Sequence, residues 1–202
     1  AWTSAVPIDA PDQVLTFGDD GTARLWDPTT GEQLMVFDHG VSGGLGIWQA
    51  MLSDDGRRVV TTGSSDGIVR TWDAGSGDEL WSIDGLLSGF AGITVDISDD
   101  GERVAIVSAS TQIVDADTGR EITTLASPDL VRAAKFSPDG RSLATKSQHN
   151  AVRLWDAGSG KLLATMEPSP AIRRKPTMRL EMFPKCQPVP CVAVAVAPEI
   201  DW

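Results

Sequence analysis

With 202 residues and a formal charge of −11, the chain is long enough for one large or two small domains, and too acidic to seek phosphate. The acidity sits in residues 1–166, which hold 12 Lys/Arg against 24 Asp/Glu, whereas the last 36 residues hold 5 against 4. This balance argues against sequence-independent binding to nucleic acid or to an anionic membrane, and the longest apolar run, CVAVAVA near the end, is too short to span a bilayer.

The chain starts at Ala1 in an apparent strand, without a basic-then-apolar leader, so either a leader has been removed or the chain is a piece of something longer. From Ala23 it reads ARLWDPTTGE. An IWQAML run at Ile47, an SDDG turn at Ser53 and an RRVVTT run at Arg57 then lead to VRTWDAGSGD from Val69. ITVDI at Ile93, SDDG at Ser98 and ERVAIV at Glu102 lead to a weaker QIVDADTGRE from Gln112. VRAAKF at Val131, SPDG at Ser137 and RSLAT at Arg141 lead to VRLWDAGSGK from Val152. The Trp-Asp position thus recurs at Trp26, Trp72, Val114 and Trp155, with spacings of 46, 42 and 41. After each comes a turn opened by Asp and closed by Gly, then a fourth run: EQLMVF, DELWSI, REITTL or KLLATM. Asp bonds its own backbone in such turns, and Gly supplies the positive φ that ends them.

Short β-rich runs between turn signals, without helical periodicity, predict an all-β antiparallel protein. Each period is one four-stranded meander with two faces to bury. Radial packing of neighbouring sheets buries both, so the periods predict the blades of a β-propeller. The blades fall at about 1–39, 40–84, 85–126 and 127–166, with a Pro-rich, largely irregular tail over 167–202.

The spacing, the Ser-Pro/Asp-Asp-Gly turns, the Asp20-Gly21 and Asp66-Gly67 turns and the Trp-Asp endings together resemble the Trp-Asp (WD) repeat family of β-propellers over residues 1–166. The resemblance implies a buried hydrogen-bond network in each repeat, made by an Asp before the third strand, a Ser/Thr on the second, the Trp, and the histidine of a Gly-His pair. It gives Trp26, Asp27, Trp72, Asp73, Trp155, Asp156, Asp20 and Asp66 to the architecture. Gly-His is absent and the nearest approach is a reversed His39-Gly40, so the network is expected to be damaged. Both histidines, His39 and His149, are expected in solvated turns. In the third repeat Val114 replaces Trp, and in the fourth His149-Asn150 replaces Asp-Gly.

The family usually closes rings of seven blades. Four imply either part of a larger propeller, completed by about three further periods of about 40–45 residues, or two copies joined into one eight-blade ring. Weak repeats and frequent Gly, Asp and Arg resemble bacterial members. The cysteine-free body fits the cytoplasm. Cys186 and Cys191 lie in the tail with no second Cys/His pair, which argues for free thiols or a local disulfide and against zinc. The tail also holds 7 of the 12 prolines and none of the glycines. It reads as an irregular linker, as a single added strand at Val192–Ala197, or as a segment foreign to the repeat, from a frame shift or an artificial junction.

No convergent acid, base and nucleophile stand out, and the Asp-rich turns lack the alternating ligands and closing Glu of a calcium loop. No cofactor or metal is expected. The resemblance implies partner docking at the turns between second and third strands (Asp19, Ser65, Gln148) and at the starts of first strands (Trp48, Ile93, Arg132), with Phe90 in a Gly-rich stretch as a further candidate. Trp48 and Arg132 are the expected anchors, because Trp and Arg dominate binding hot spots. The expected function is a non-catalytic protein-interaction scaffold. The alternative is a propeller enzyme or small-ligand binder, such as a hydrolase or oxidoreductase, with its site over the central channel.

Overall fold

A computed structural model describes residues 4–7, 13–40, 46–64, 66–86 and 93–168. The candidates Ser65 and Phe90, and the expectations for the tail with its two cysteines, lie outside these residues. Among the described residues sixteen strands form four antiparallel sheets, each paired in chain order. The first sheet is β1 (Ser4–Pro7), β2 (Val14–Phe17), β3 (Thr22–Trp26) and β4 (Gln33–Asp38). The second is β5 (Ile47–Leu52), β6 (Arg58–Gly63), β7 (Val69–Asp73) and β8 (Glu79–Ile83). The third is β9 (Thr94–Ile97), β10 (Arg103–Val107), β11 (Thr111–Asp115) and β12 (Glu121–Leu125). The fourth is β13 (Val131–Phe136), β14 (Ser142–Ser147), β15 (Val152–Asp156) and β16 (Leu162–Met166).

These are the propeller blades that the repeat predicts. The turns form for local reasons. In the SDDG and SPDG turns the Ser53, Ser98 and Ser137 hydroxyls each donate to the carboxylate two residues on, Asp55, Asp100 or Asp139, at 2.6 Å. After each Trp-Asp position, Asp27, Asp73, Asp115 and Asp156 accept backbone N–H groups from the turn ahead. In the Asp-rich turns the Asp55 and Asp100 carboxylates are therefore engaged in turn-making. At the fourth β14–β15 turn Asn150 adopts φ +64°, the left-handed conformation that Gly67 holds in the second sheet, and Asn tolerates it better than most side chains.

Side chains alternate across a strand, so an interior sheet feeds two cores. Val59 and Val60 are adjacent and both fully buried, yet they belong to different cores. Val59 packs with Leu15, Leu25, Phe37 and Trp72, between the first and second sheets. Val60 packs with Ile93, Val95, Val104 and Val114, between the second and third. A third core joins Ala105 and Ile113 to Phe136, Leu143 and Trp155. The first strand of each later sheet lies on its predecessor: β5 on β2 and β3, β9 on β5 and β6, β13 on β9 and β10. Packing runs in sequence order and the ring is not closed.

Candidate functional site: the ends of the blades

Two features at the ends of the sheets matter for function: the bonds that lock one sheet to the next, and the side chains left facing solvent. The first corrects a sequence expectation. His39 is 1% exposed, not solvated. Its N–H donates to the Gly21 carbonyl at 3.0 Å, which holds it against the first sheet just past β4. Its ring then fills the gap to the second sheet, with Nδ1 2.7 Å from Thr61 Oγ1 and Nε2 3.2 Å from Asp66 Oδ2. The Trp72 indole N–H donates to the same Thr61 oxygen at 2.9 Å. One proton arrangement serves the two hydrogen bonds: Trp72 donates to Thr61 and Thr61 donates to Nδ1, while Nε2 lies close to the Asp66 carboxylate without hydrogen-bond geometry. Burial holds the His39 pKa below the ordinary histidine value, against the opposing pull of Asp66. The reversed dipeptide thus supplies the buried histidine, because position and not dipeptide order places the ring.

The other sheets use part of this arrangement or replace it. Trp155 N–H donates to Thr145 Oγ1 at 2.8 Å, and Trp26 N–H to Thr16 Oγ1 at 2.8 Å. In the first sheet Asp20 is bound by Arg24 at 2.8 Å, with no histidine present. In the fourth, buried Arg153 donates to Asp129 at 2.7 Å, while His149 stays exposed and lies 3.6 Å from that carboxylate. In the third, Ile106 and Val114 make the contact apolar. A separate bond ties β9 to β13: buried Asp96 accepts the Phe136 N–H at 2.7 Å and the Lys135 ammonium at 3.0 Å. Burial pushes the Asp96 carboxyl up, and these two donors only partly counter it.

The solvent-facing candidates fall on the positions where the sheets are irregular. The β5–β6 register shifts between Ile47 and Gln49, and the β13–β14 register shifts between Val131 and Ala133. The extra residues are Trp48 and Arg132, so the same bulge recurs two sheets apart and turns each side chain outward. Trp48 is 57% exposed and Arg132 is exposed. Next to Trp48, Gln49 points inward and bonds both the N–H and the C=O of Val95, at 3.1 and 2.9 Å. Neighbouring residues therefore divide the work of presentation and anchorage. Ile93 occupies the equivalent position in the third repeat, but it is 3% exposed and packed in the second core, so it is not a surface anchor.

Arg132 and Gln148 line one open recess of about 530 Å³, together with Lys146, Ser147 and His149. Sequence reasoning passed over Lys146. Asp19 is exposed and lines a different recess, of about 230 Å³, on the first sheet with Thr16, Asp20, Arg24 and Trp26. Among the described residues no group of three or more His, Cys, Asp or Glu is placed to hold a metal ion.

A family model described as WD domain, G-beta repeat matches residues 31–73 and 119–156. The first match begins before β4 and ends with β7, so it contains His39, Thr61, Asp66 and Trp72 together. The second runs from β12 to β15 and contains Asp129, Thr145, Arg153 and Trp155. Each sequence repeat therefore straddles a sheet boundary, and its polar bonds tie one sheet to the next. Such repeats generally serve as scaffolds for protein–protein interaction and are usually not enzymes.

Proposed function

Taking the chain as a WD-repeat protein, we propose that it is a non-catalytic interaction platform within a larger ring, presenting the starts of its first strands to a protein partner. The observation that carries this reading is the repeated bulge. Inter-sheet bonds and cores engage the residues around it, while Trp48 and Arg132 are aimed at water. A large aromatic left 57% exposed beside well-packed neighbours provides contact area at low entropic cost. Gln148 beside Arg132 adds hydrogen-bonding capacity. Binding then works by complementarity to a preformed surface, since Gln49 and Asp96 already hold the inner strands together.

A photo-crosslinking amino acid placed at position 48 or 132 tests this. Both positions should capture one and the same protein, and position 36, exposed on the outer strand β4, should not. Equal capture from all three positions would refute the assigned face.

A further inference from the structure

The two bulges share their geometry and differ in their chemistry. Trp48 in β5 and Arg132 in β13 are each the extra residue where the register slips. The second sheet has a core on each side, yet Trp48 is 57% exposed, so outward presentation at this position comes from the bulge itself. Beside Trp48 the paired strand offers Thr62 and Gly63, neither of them charged. Beside Arg132 it offers Lys146 and Ser147, followed by Gln148 and His149, and these residues line the recess of about 530 Å³. No Asp or Glu is among its lining residues, although the chain carries 28 Asp/Glu against 17 Lys/Arg. The carboxylate beside His149, that of Asp129, is already held by buried Arg153 at 2.7 Å. Arg24, Arg58 and Arg70 each have a carboxylate of their own within 3.0 Å. Among the described residues the Arg132 guanidinium and the Lys146 ammonium have no hydrogen bond or ion pair.

We propose that the protein partner meets this recess with an acidic segment, one side-chain carboxylate seated on the Arg132 guanidinium and bonded by the Gln148 amide. The proposal deepens the interaction reading and rests on it. Trp48 receives an apolar side chain of the partner and Arg132 an acidic one, so the two bulges fix which way round the partner lies. A guanidinium is a planar fork that donates to both oxygens of a carboxylate at once. Gln148 is fixed beside it, because its backbone N–H donates to the Leu130 carbonyl at 2.9 Å while the residue stays exposed. Lys146 adds positive potential from the paired strand, and the proposal is carried by Arg132 and Gln148 without it. A carboxylate at the recess also relieves the repulsion between two cations held on neighbouring strands. Phosphorylated segments and nucleic acid carry more negative charge than a carboxylate, and a chain of net charge −11 repels them more strongly.

The test titrates a hexaglutamate peptide into the full chain while the Arg132 Nε–H resonance is followed by NMR. A saturating shift is expected, weakened by added salt. Hexaglutamine should give none. Arg132→Gln, read from the backbone resonances of Ala133 and Gln148, should lower the affinity at least about tenfold. Arg132→Lys keeps the charge without the fork and should also bind less tightly than the unaltered chain. Arg120→Gln removes the same charge from an exposed turn elsewhere and should leave the affinity unchanged. The proposal is overturned by the lack of a shift with hexaglutamate, by an equal shift with hexaglutamine, or by undiminished affinity in Arg132→Gln. Tighter binding of a phosphoserine peptide or of a single-stranded oligonucleotide at the same resonances also overturns it. A protein captured from positions 48 and 132 while hexaglutamate fails to bind keeps the interaction reading and removes only the acidic partner. Hexaglutamate bound while neither position captures a protein removes both.

Discussion

His39 Nδ1 lies 2.7 Å from Thr61 Oγ1, a bond that joins the end of the first sheet to the second strand of the next. Thr61 is fully buried and also accepts the Trp72 indole N–H, so its hydroxyl serves two partners where water cannot. Removing one member orphans the others. Thr61→Val and His39→Ala should each lower stability to urea by about 1–3 kcal/mol at neutral pH. The double variant should cost clearly less than the sum, because both act on one network. Additive losses would mean that the two residues act separately.

The same histidine makes stability depend on pH. Its pKa is depressed on folding, so the unfolded chain takes up the proton first as pH falls below the ordinary value of 6.5. The neutral-ring contribution is fully present above that value and is lost as pH falls from there through the folded pKa. Urea midpoints measured from pH 8 to pH 5 should therefore decline more for the unaltered chain than for His39→Gln. Parallel curves would show that burial does not hold the ring neutral.

Asp96 shifts the other way. Its raised pKa means that ionisation opposes folding, a contribution that is absent below the ordinary carboxylate value of 3.8 and grows as pH rises through the folded pKa. Its oxygen is still needed, because the buried Phe136 N–H has it as acceptor. Asp96→Asn keeps an acceptor and removes the charge, and should change stability at pH 7 by less than about 1 kcal/mol. Asp96→Ala leaves the N–H unpartnered and should cost roughly 1–3 kcal/mol. Equal losses from the two would mean that the charge pair with Lys135 dominates.

The sheets were legible because each turn is written in local chemistry. Ser-Asp pairs and Asp-to-Gly turns need no tertiary context, so IWQAML and VRAAKF could be placed as strands at once. The bulges were written there too, though less openly. In IWQAML the buried residues Ile47, Ala50 and Leu52 are spaced three then two apart, and buried Val131, half-buried Ala134 and buried Phe136 repeat that spacing. A strict alternation would be two and two, so the extra step marks Trp48 and Arg132. The burial of His39 was not legible from its dipeptide, since the fold that seats its ring comes from Thr61 and Trp72, 22 and 33 residues later. Nor did Ile93 differ in register from Trp48 and Arg132; only the core beside it decides that it turns inward.

The most direct test of the interaction reading is calorimetric titration of the captured partner against the unaltered chain and against Trp48→Ala, Arg132→Ala. The account predicts an affinity lower by roughly 1–3 kcal/mol for each substitution, with melting temperatures unchanged because both side chains are exposed. Undiminished affinity in the doubly substituted chain would contradict it, and would place the partner's site on another face of the blades.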